Sequence, residues 1–327
     1  MEPALLLVVL AAVVFAWTNG FHDASNAVAT SLATGALTPR VAFTLAAVFN
    51  VIGGLIGVSV AQTLRSSLIE VPVAQPGIGI VLAALLSAVA WNLGTWWFGM
   101  PSSSSHALLG GIAGAGLVAG ARVDWVLMQE KVLAPMLVSP LVGFFGAWLL
   151  TRVLLRATQD AGHGSTRRRF RMAQTVSASA MALGHGLQDA QKSAGAVMIA
   201  LVVTAHASDA DDVPLWVRLL VTGALGLGTA FGGWRIIRTL GRRVAPVEPV
   251  TGFVAEAVAA VALYTASGVF AAPVSSTHVV VASIMGGGAT HGLRAIRWMV
   301  VRRIGAVFVL TPVVTAGTAA LLYRLAG

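Results

Sequence analysis

The sequence predicts an all-α polytopic membrane protein built from two inverted-topology repeats. Three observations predict it. Of 327 residues, 57% are hydrophobic and only 10% charged, and the mean hydropathy is +0.85. A soluble domain carries roughly 25% charged residues. The chain divides into about 10–12 apolar segments, several near the ~20 residues that cross a bilayer core. Second, its basic residues gather in alternate loops. Third, two polar motifs recur in the same order in both halves.

From the N-terminus, apolar stretches run over 3–17, 41–64, 78–98, 105–120, 132–150, 190–205, 215–234, 252–272, 278–289 and 304–323. The first, Ala4–Ala16, follows Glu2 rather than a basic residue. It leads into a polar motif rather than a small-residue cleavage site, so it is expected to be a span and not a cleaved signal. There is no cysteine, which excludes disulfides, thiolate chemistry and Cys-ligated metals.

The formal charge is +9. A bias of Lys and Arg toward cytoplasmic loops accounts for it without any nucleic acid partner. Arg40 is assigned inside, with Arg152, Arg156, Arg167, Arg168, Arg169 and Arg171. So are Arg235, Arg238, Arg242 and Arg243, and then Arg294, Arg297, Arg302 and Arg303. Arg65 near Glu70, Arg122 and Lys131 near Asp124 and Glu130, and Arg218 after Asp209, Asp211 and Asp212 are assigned outside, as is Arg324. Residues 78–120 then leave and return to the outer side, and 251–290 leave and return to the inner side. Each half reads as crossing, crossing, hairpin, crossing. An odd number of net crossings turns the second half over. The expected organisation is a first repeat over 1–150, a short basic cytoplasmic linker over 151–171 and a second repeat over 172–327. Both termini are expected to be external, in the cell (inner) membrane. Trp96, Trp97, Trp125, Trp216 and Trp298 lie near span ends as interfacial anchors.

The halves resemble each other at two places. Gly20-Phe-His-Asp-Ala-Ser-Asn-Ala27 aligns with Gly186-Leu-Gln-Asp-Ala-Gln-Lys-Ser193. Pro101-Ser-Ser-Ser-Ser-His106 aligns with Pro273-Val-Ser-Ser-Thr-His278. Both motif types are expected to break the helices that carry them. Freed backbone groups at membrane depth are tolerated only where they line a cavity. Paired breaks in two repeats point to a transport site.

At these residues the sequence resembles the inorganic phosphate transporter (PiT) family, in its bacterial low-affinity form. The resemblance rests on Asn19-Gly-Phe-His-Asp-Ala-Ser-Asn-Ala27, His185-Gly-Leu-Gln-Asp-Ala-Gln-Lys192, the two Pro-x-Ser-Ser-x-His tips and the run Gly232–Gly241. It covers nearly the whole chain. The resemblance implies cation-coupled phosphate uptake, with substrate held between the repeats, and it is compatible with a homodimer. Gln188 and Leu187 depart from the family's usual residues beside Asp189, and the large central domain of some members is missing.

An ionisable residue within a span is functional by default, which singles out Asp23, Asp189 and Lys192. Asn19, His22, Asp23 and Asp189 are the expected cation-coupling set. Asp23 and Asp189 could ligate Na⁺ as the metal sites, or take a proton. His22 favours H⁺ over Na⁺ as coupling ion, because histidine is the side-chain type that takes and releases protons near neutral pH. Phosphate needs many donors. Ser102, Ser103, Ser104, Ser105, Ser275, Ser276 and Thr277 offer hydroxyls and helix N-termini, Lys192 a point charge, and Asn26 and Gln188 amides. Each Ser/Thr cluster precedes a helical run, as an N-cap does. His106 and His278 are expected to orient the hairpin tips. Glu256 is read as structural or gating, within reach of the interface or of an arginine in 235–243.

Three other readings were weighed. A sulfate or other oxyanion permease of the same fold is motivated by the departures at Leu187 and Gln188. An intramembrane hydrolase is suggested by Ser105-His106 and Thr277-His278, but adjacent residues on a helix do not face each other. A passive channel does not suit a charged, occluded site. No P-loop is present, so direct ATP drive is not expected, and no cofactor is expected beyond the coupling ion.

Overall fold

A computed structural model describes residues 2–57, 60, 61, 63, 69, 70, 75–208 and 211–326. Arg65 and Asp209, and the side chains of Glu70 and Lys131, lie outside what it describes. The architecture is all-α. The first half holds α1 (Pro3–Thr34), α2 (Pro39–Ile56), α3 (Gln75–Trp97), α4 (Ser104–Val118), the single turn α5 (Trp125–Met128) and α6 (Ala134–Ala157). The second holds α7 (His163–Val203), α8 (Leu215–Phe231), α9 (Trp234–Arg242), α10 (Pro249–Gly268), α11 (Ser276–Ala289) and α12 (Trp298–Ala326). Outside the helices, Ile69–Glu70 pairs antiparallel with Arg122–Val123 and ties two connections together.

Among the described residues, six helices are long and apolar enough to cross a membrane: α1, α2, α3, α6, α10 and α12. A seventh span arises if α8 and α9 count together across their 69° bend. Their outward faces are apolar, as lipid requires: Leu6, Leu10 and Val14 on α1, Leu137, Leu141 and Phe145 on α6, Val309 and Val313 on α12. Proline at the first helical turn starts α1, α2 and α10, where its missing N–H has no intrahelical partner to lose. Gly35 ends α1 in the left-handed region at φ 67°, its N–H meeting Leu32 O.

The Asp motifs do not break their helices, contrary to the sequence expectation. Asn19–Ala27 lies within uninterrupted α1, and His185–Ser193 within uninterrupted α7. Neither segment contains proline, and their polar side chains find partners across the helix interface, so the backbone stays paired. Of the two repeated motifs, it is the Pro-x-Ser-Ser-x-His pair that breaks, over 98–103 between α3 and α4 and over 269–275 between α10 and α11. The stretch 151–171 is helical at both ends, finishing α6 and starting α7.

Two apolar clusters flank a polar layer. One gathers Leu5–Ala16 of α1 with Ala194–Val203 of α7, and the other Ala27–Ala29 of α1 with Ala178–Ala182 of α7. The two helices therefore run in opposite directions, and their polar motifs meet midway. Packing partners recur between halves. α1 packs on α8 and α7 on α2; α4 packs on α12 and α11 on α6. Thus the last helix of each half covers the broken hairpin of the other.

Glycine permits these approaches. A Cβ added at Gly20 would lie 2.2 Å from Leu225 O, and one at Gly186 2.2 Å from Asn50 O. At Gly114 it would lie 2.1 Å from Ala316 O, and at Gly286 2.1 Å from Phe144 O. Such overlap forces backbones apart. Gly286→Val is expected to destabilise the fold by about 1–3 kcal/mol, read as a lower melting temperature in detergent. Gly223→Ala, where an added Cβ meets nothing within 4 Å, should leave it unchanged.

Candidate functional site

The site forms where α1 crosses α7. On α1, Asn19, Asp23 and Asn26 lie at i, i+4 and i+7, one face of a helix. On α7, His185, Asp189 and Lys192 repeat that spacing, and all six side chains are buried. Asn19 Nδ2 donates to Asp189 Oδ2 at 3.1 Å. His185 Nε2 lies 2.6 Å from Asp189 Oδ2 and 3.9 Å from Asp23 Oδ2. Lys192 pairs with Asp189 and donates to Ser104 Oγ at 3.2 Å. Asp23, His185 and Asp189 offer ligand atoms that all lie within 4.8 Å of one another.

The broken hairpins bring the hydroxyls. Ser104 Oγ donates to Asp23 Oδ2 at 3.3 Å, and Thr277 Oγ1 to Asp23 Oδ1 at 3.4 Å. Asn26 Nδ2 donates to Thr277 Oγ1 at 3.0 Å and to Ser276 Oγ at 3.4 Å. Ser102 lies 3.2 Å from His22 Nε2, while His22 Nδ1 meets Asp23 Oδ1 at 2.8 Å. Ser103 and Ser275 are N-caps, each accepting from the N–H three residues on, at His106 and His278. Beyond that bond, the first N–H groups of α4 and α11 have no intrahelical partner. The two helix starts meet: Ser105 Oγ donates to Val274 O at 3.1 Å, and the His106 and His278 rings sit 4.7 Å apart. Both partial positive ends thus face one buried space.

Of the sequence-predicted residues, Asn19, His22, Asp23, Asn26, Ser102, Ser104, Asp189, Lys192, Ser276 and Thr277 fall in one hydrogen-bonded cluster. Ser103 and Ser275 hold their helix starts instead. Ser105 ties the two breaks together. Gln188 Nε2 donates to Ala272 O at 3.2 Å, beside the second break. Ser105 thus bonds across the interface rather than to the adjacent His106.

Sequence reading passed over His185, Asn50 and Thr95. His185 is the repeat mate of Asn19 at the same offset that relates Asp23 to Asp189, so the signal was present. Asn50 and Thr95 carried none: they lie on spans whose register only the fold sets. Asn50 Oδ1 meets His185 Nδ1 at 3.0 Å, and Thr95 Oγ1 meets His22 Nε2 at 3.0 Å. Glu256 makes no ion pair with an arginine among the described residues. It is buried, and three hydroxyls donate to it: Thr30, Ser31 and Ser177, each at 2.5 Å. Its span packs against α1 and α7, whose hydroxyls serve the carboxylate in place of an arginine.

Removing one partner of a buried ion pair leaves an uncompensated charge. Lys192→Met is therefore expected to cost about 3–5 kcal/mol of stability, measured as thermal melting in detergent. The double variant Asp189→Asn/Lys192→Met, which removes both charges, should recover most of that loss.

Comparison with known proteins identifies the family. A profile of the Phosphate transporter family matches residues 19–319. A probable low-affinity inorganic phosphate transporter of Bacillus subtilis (strain 168) is 38% identical over 97% of this chain and 96% of its own. One from Rhizobium meliloti (strain 1021) is 38% identical over 98% of this chain and 96% of its own. One from Mycobacterium bovis is 42% identical over 94% and 74%. A solved structure described as the sodium-dependent phosphate transporter superposes with a TM-score of 0.87, at 22% identity, over 99% of this chain and 98% of that one. That last likeness is one of fold. These relatives carry out transport and are not enzymes. Matched along nearly its whole length, this membrane-spanning chain belongs to the phosphate transporter family.

Proposed function

We propose that the chain carries inorganic phosphate across the cell membrane in symport with a cation, by alternating access between two inverted repeats over 1–150 and 172–327. One observation carries the coupling. The central cluster holds two carboxylates, Asp23 and Asp189, and one ammonium, Lys192, so with neutral imidazoles it is already net negative. An anion entering this buried space meets like charge. Phosphate binds there once cations have entered first. The hydroxyls of Ser104, Ser276 and Thr277, the amide of Asn26, the Lys192 ammonium and the two helix starts then supply its donors.

Support for H⁺ over Na⁺ comes from hydrogen-bond bookkeeping at His185. Thr229 Oγ1 donates to Leu225 O, so it accepts from Asn50 Nδ2 at 2.8 Å. Asn50 Oδ1 is thereby turned to His185 Nδ1, which must donate. The ring's other nitrogen lies 2.6 Å from Asp189 Oδ2 without hydrogen-bond alignment, and so close an approach to a carboxylate favours the charged, doubly protonated ring. The same bookkeeping applies at His22: Thr95 Oγ1 donates to Trp91 O at 2.8 Å, so it accepts from His22 Nε2 at 3.0 Å, while His22 Nδ1 faces Asp23 Oδ1 at 2.8 Å. His185 therefore joins His22 as a candidate for the proton. Oxygen atoms at Asp23 and Asp189, with the unpartnered amide oxygens of Asn19 and Asn26, are equally the donor type of a Na⁺ site. The solved relative described as sodium-dependent keeps that ion in the test.

Opposite directions of α1 and α7, and the recurring packing partners, support the inverted repeats. The orientation, with both termini external and the basic loops inside, rests on the charge bias.

Reconstituted liposomes test the whole reading. Radiolabelled phosphate uptake should follow an imposed inward H⁺ gradient more than an inward Na⁺ gradient, and Asp23→Asn and Asp189→Asn should each abolish it. Folded protein that moves no phosphate under either gradient, or prefers sulfate at every pH, sinks the proposal. Thr277→Val, which keeps shape and removes the hydroxyl that bridges Asn26 and Asp23, should raise KM for phosphate by roughly tenfold, the worth of one charge-assisted hydrogen bond. An unchanged KM would remove Thr277 from the binding set.

A further inference from the structure

We propose that a crevice between the end of α1, the start of α2 and α9 binds the headgroup of an anionic phospholipid from the surrounding bilayer. The crevice has a volume of about 290 Å³ and is lined by Leu32, Leu37, Pro39, Trp234, Arg238 and Arg242 among others. Arg238 and Arg242 sit one turn apart on the same exposed side of α9. Among the described residues neither is ion-paired: the salt bridges there all belong to the central Asp23–Asp189 cluster. Arg171 reaches the same end of α1, its Nη2 3.9 Å from where a Cβ on Gly35 would stand. Among the described residues no carboxylate pairs with the charge gathered there.

The helix itself is built for a membrane surface. α9 turns 69° away from α8. Ile236, Ile237 and Leu240 are buried, while Arg235, Arg238, Arg242 and Arg243 are exposed. Trp234 is 46% exposed at the helix start, the amphipathic side chain favoured at a headgroup layer. Basic amphipathic helices of this kind hold anionic lipid by charge and apolar contact together. The leucines and proline beside the two guanidinium groups commit the crevice to a lipid, because a free anion gains nothing from them.

Contacts that α9 makes beside these arginines explain what such a lipid does. Thr239 Oγ1 donates to Gly99 O at 2.8 Å. The Arg235 guanidinium lies 4.5 Å from the Trp97 ring centre and donates to Trp97 O. α9 thus grips the 98–103 break, whose far end carries Ser102 and Ser104. A lipid that fixes α9 fixes that break.

Native mass spectrometry of the full chain in neutral detergent tests this with phosphatidylglycerol, phosphatidylcholine and inorganic phosphate as probes. Phosphatidylglycerol should bind in preference to phosphatidylcholine and resist displacement by millimolar inorganic phosphate. R238Q/R242Q should weaken it by roughly tenfold, while R302Q/R303Q, exposed arginines on α12, should not. Leu37→Trp, which fills the crevice without changing charge, should weaken it as well. Undiminished binding in R238Q/R242Q or in Leu37→Trp overturns the proposal. So does displacement of the lipid by inorganic phosphate, which would make the crevice a free-anion site.

Discussion

Everything else in this molecule accommodates one arrangement: two carboxylates buried in an apolar bundle, one on each of two antiparallel helices. An isolated carboxylate at that depth is prohibitively costly. Asp189 is held by Lys192, Asn19 and His185; Asp23 is held by His22, Ser104 and Thr277. Those partners come from α1, α7 and both broken hairpins. The hairpin starts can reach the carboxylates only because α1 and α7 cross closely with their neighbours, which the glycines at 20 and 186 allow. The charge pair therefore sets the helix spacing, and the spacing sets the glycines.

Much of this was legible in the sequence. Apolar runs, segregated arginines and two repeated motifs sufficed for the all-α membrane fold and for the central cluster. Asp23 and Asp189, repeat mates in the sequence, lie in one cluster in the structure. What misled was the polar character of Asn19–Ala27 and His185–Ser193, which reads as a break. Helices tolerate buried polar faces when cross-helix partners exist, and a single chain shows the residues but not the partners. Asn50, Thr95 and the hydroxyl cage of Glu256 were hidden for the same reason. Each is an ordinary span residue until a neighbouring helix gives it a carboxylate or an imidazole to serve.

The two broken hairpins do different work with the same motif. Ser103 and Ser275 close their helix starts, and so the following hydroxyls are presented rather than consumed. Proline ahead of each cap keeps the residue before it out of the helical region. The result is a pair of helix ends aimed at one space without either needing an exposed backbone toward lipid. Conserving the break costs little stability, because the capping bond replaces an intrahelical one.

The crossed packing of the last helices bears on how the chain is made. α4 rests on α12, and α11 rests on α6. During synthesis the first hairpin enters the bilayer long before α12 exists. Although α3 already packs against α4, the glycine-lined face that α12 covers must wait until α12 is made. Neither half covers its own hairpin fully. The site closes only after α12 is in place, and a chain cut short before α12 leaves that face of the first hairpin open to whatever quality-control machinery surveys half-built membrane proteins.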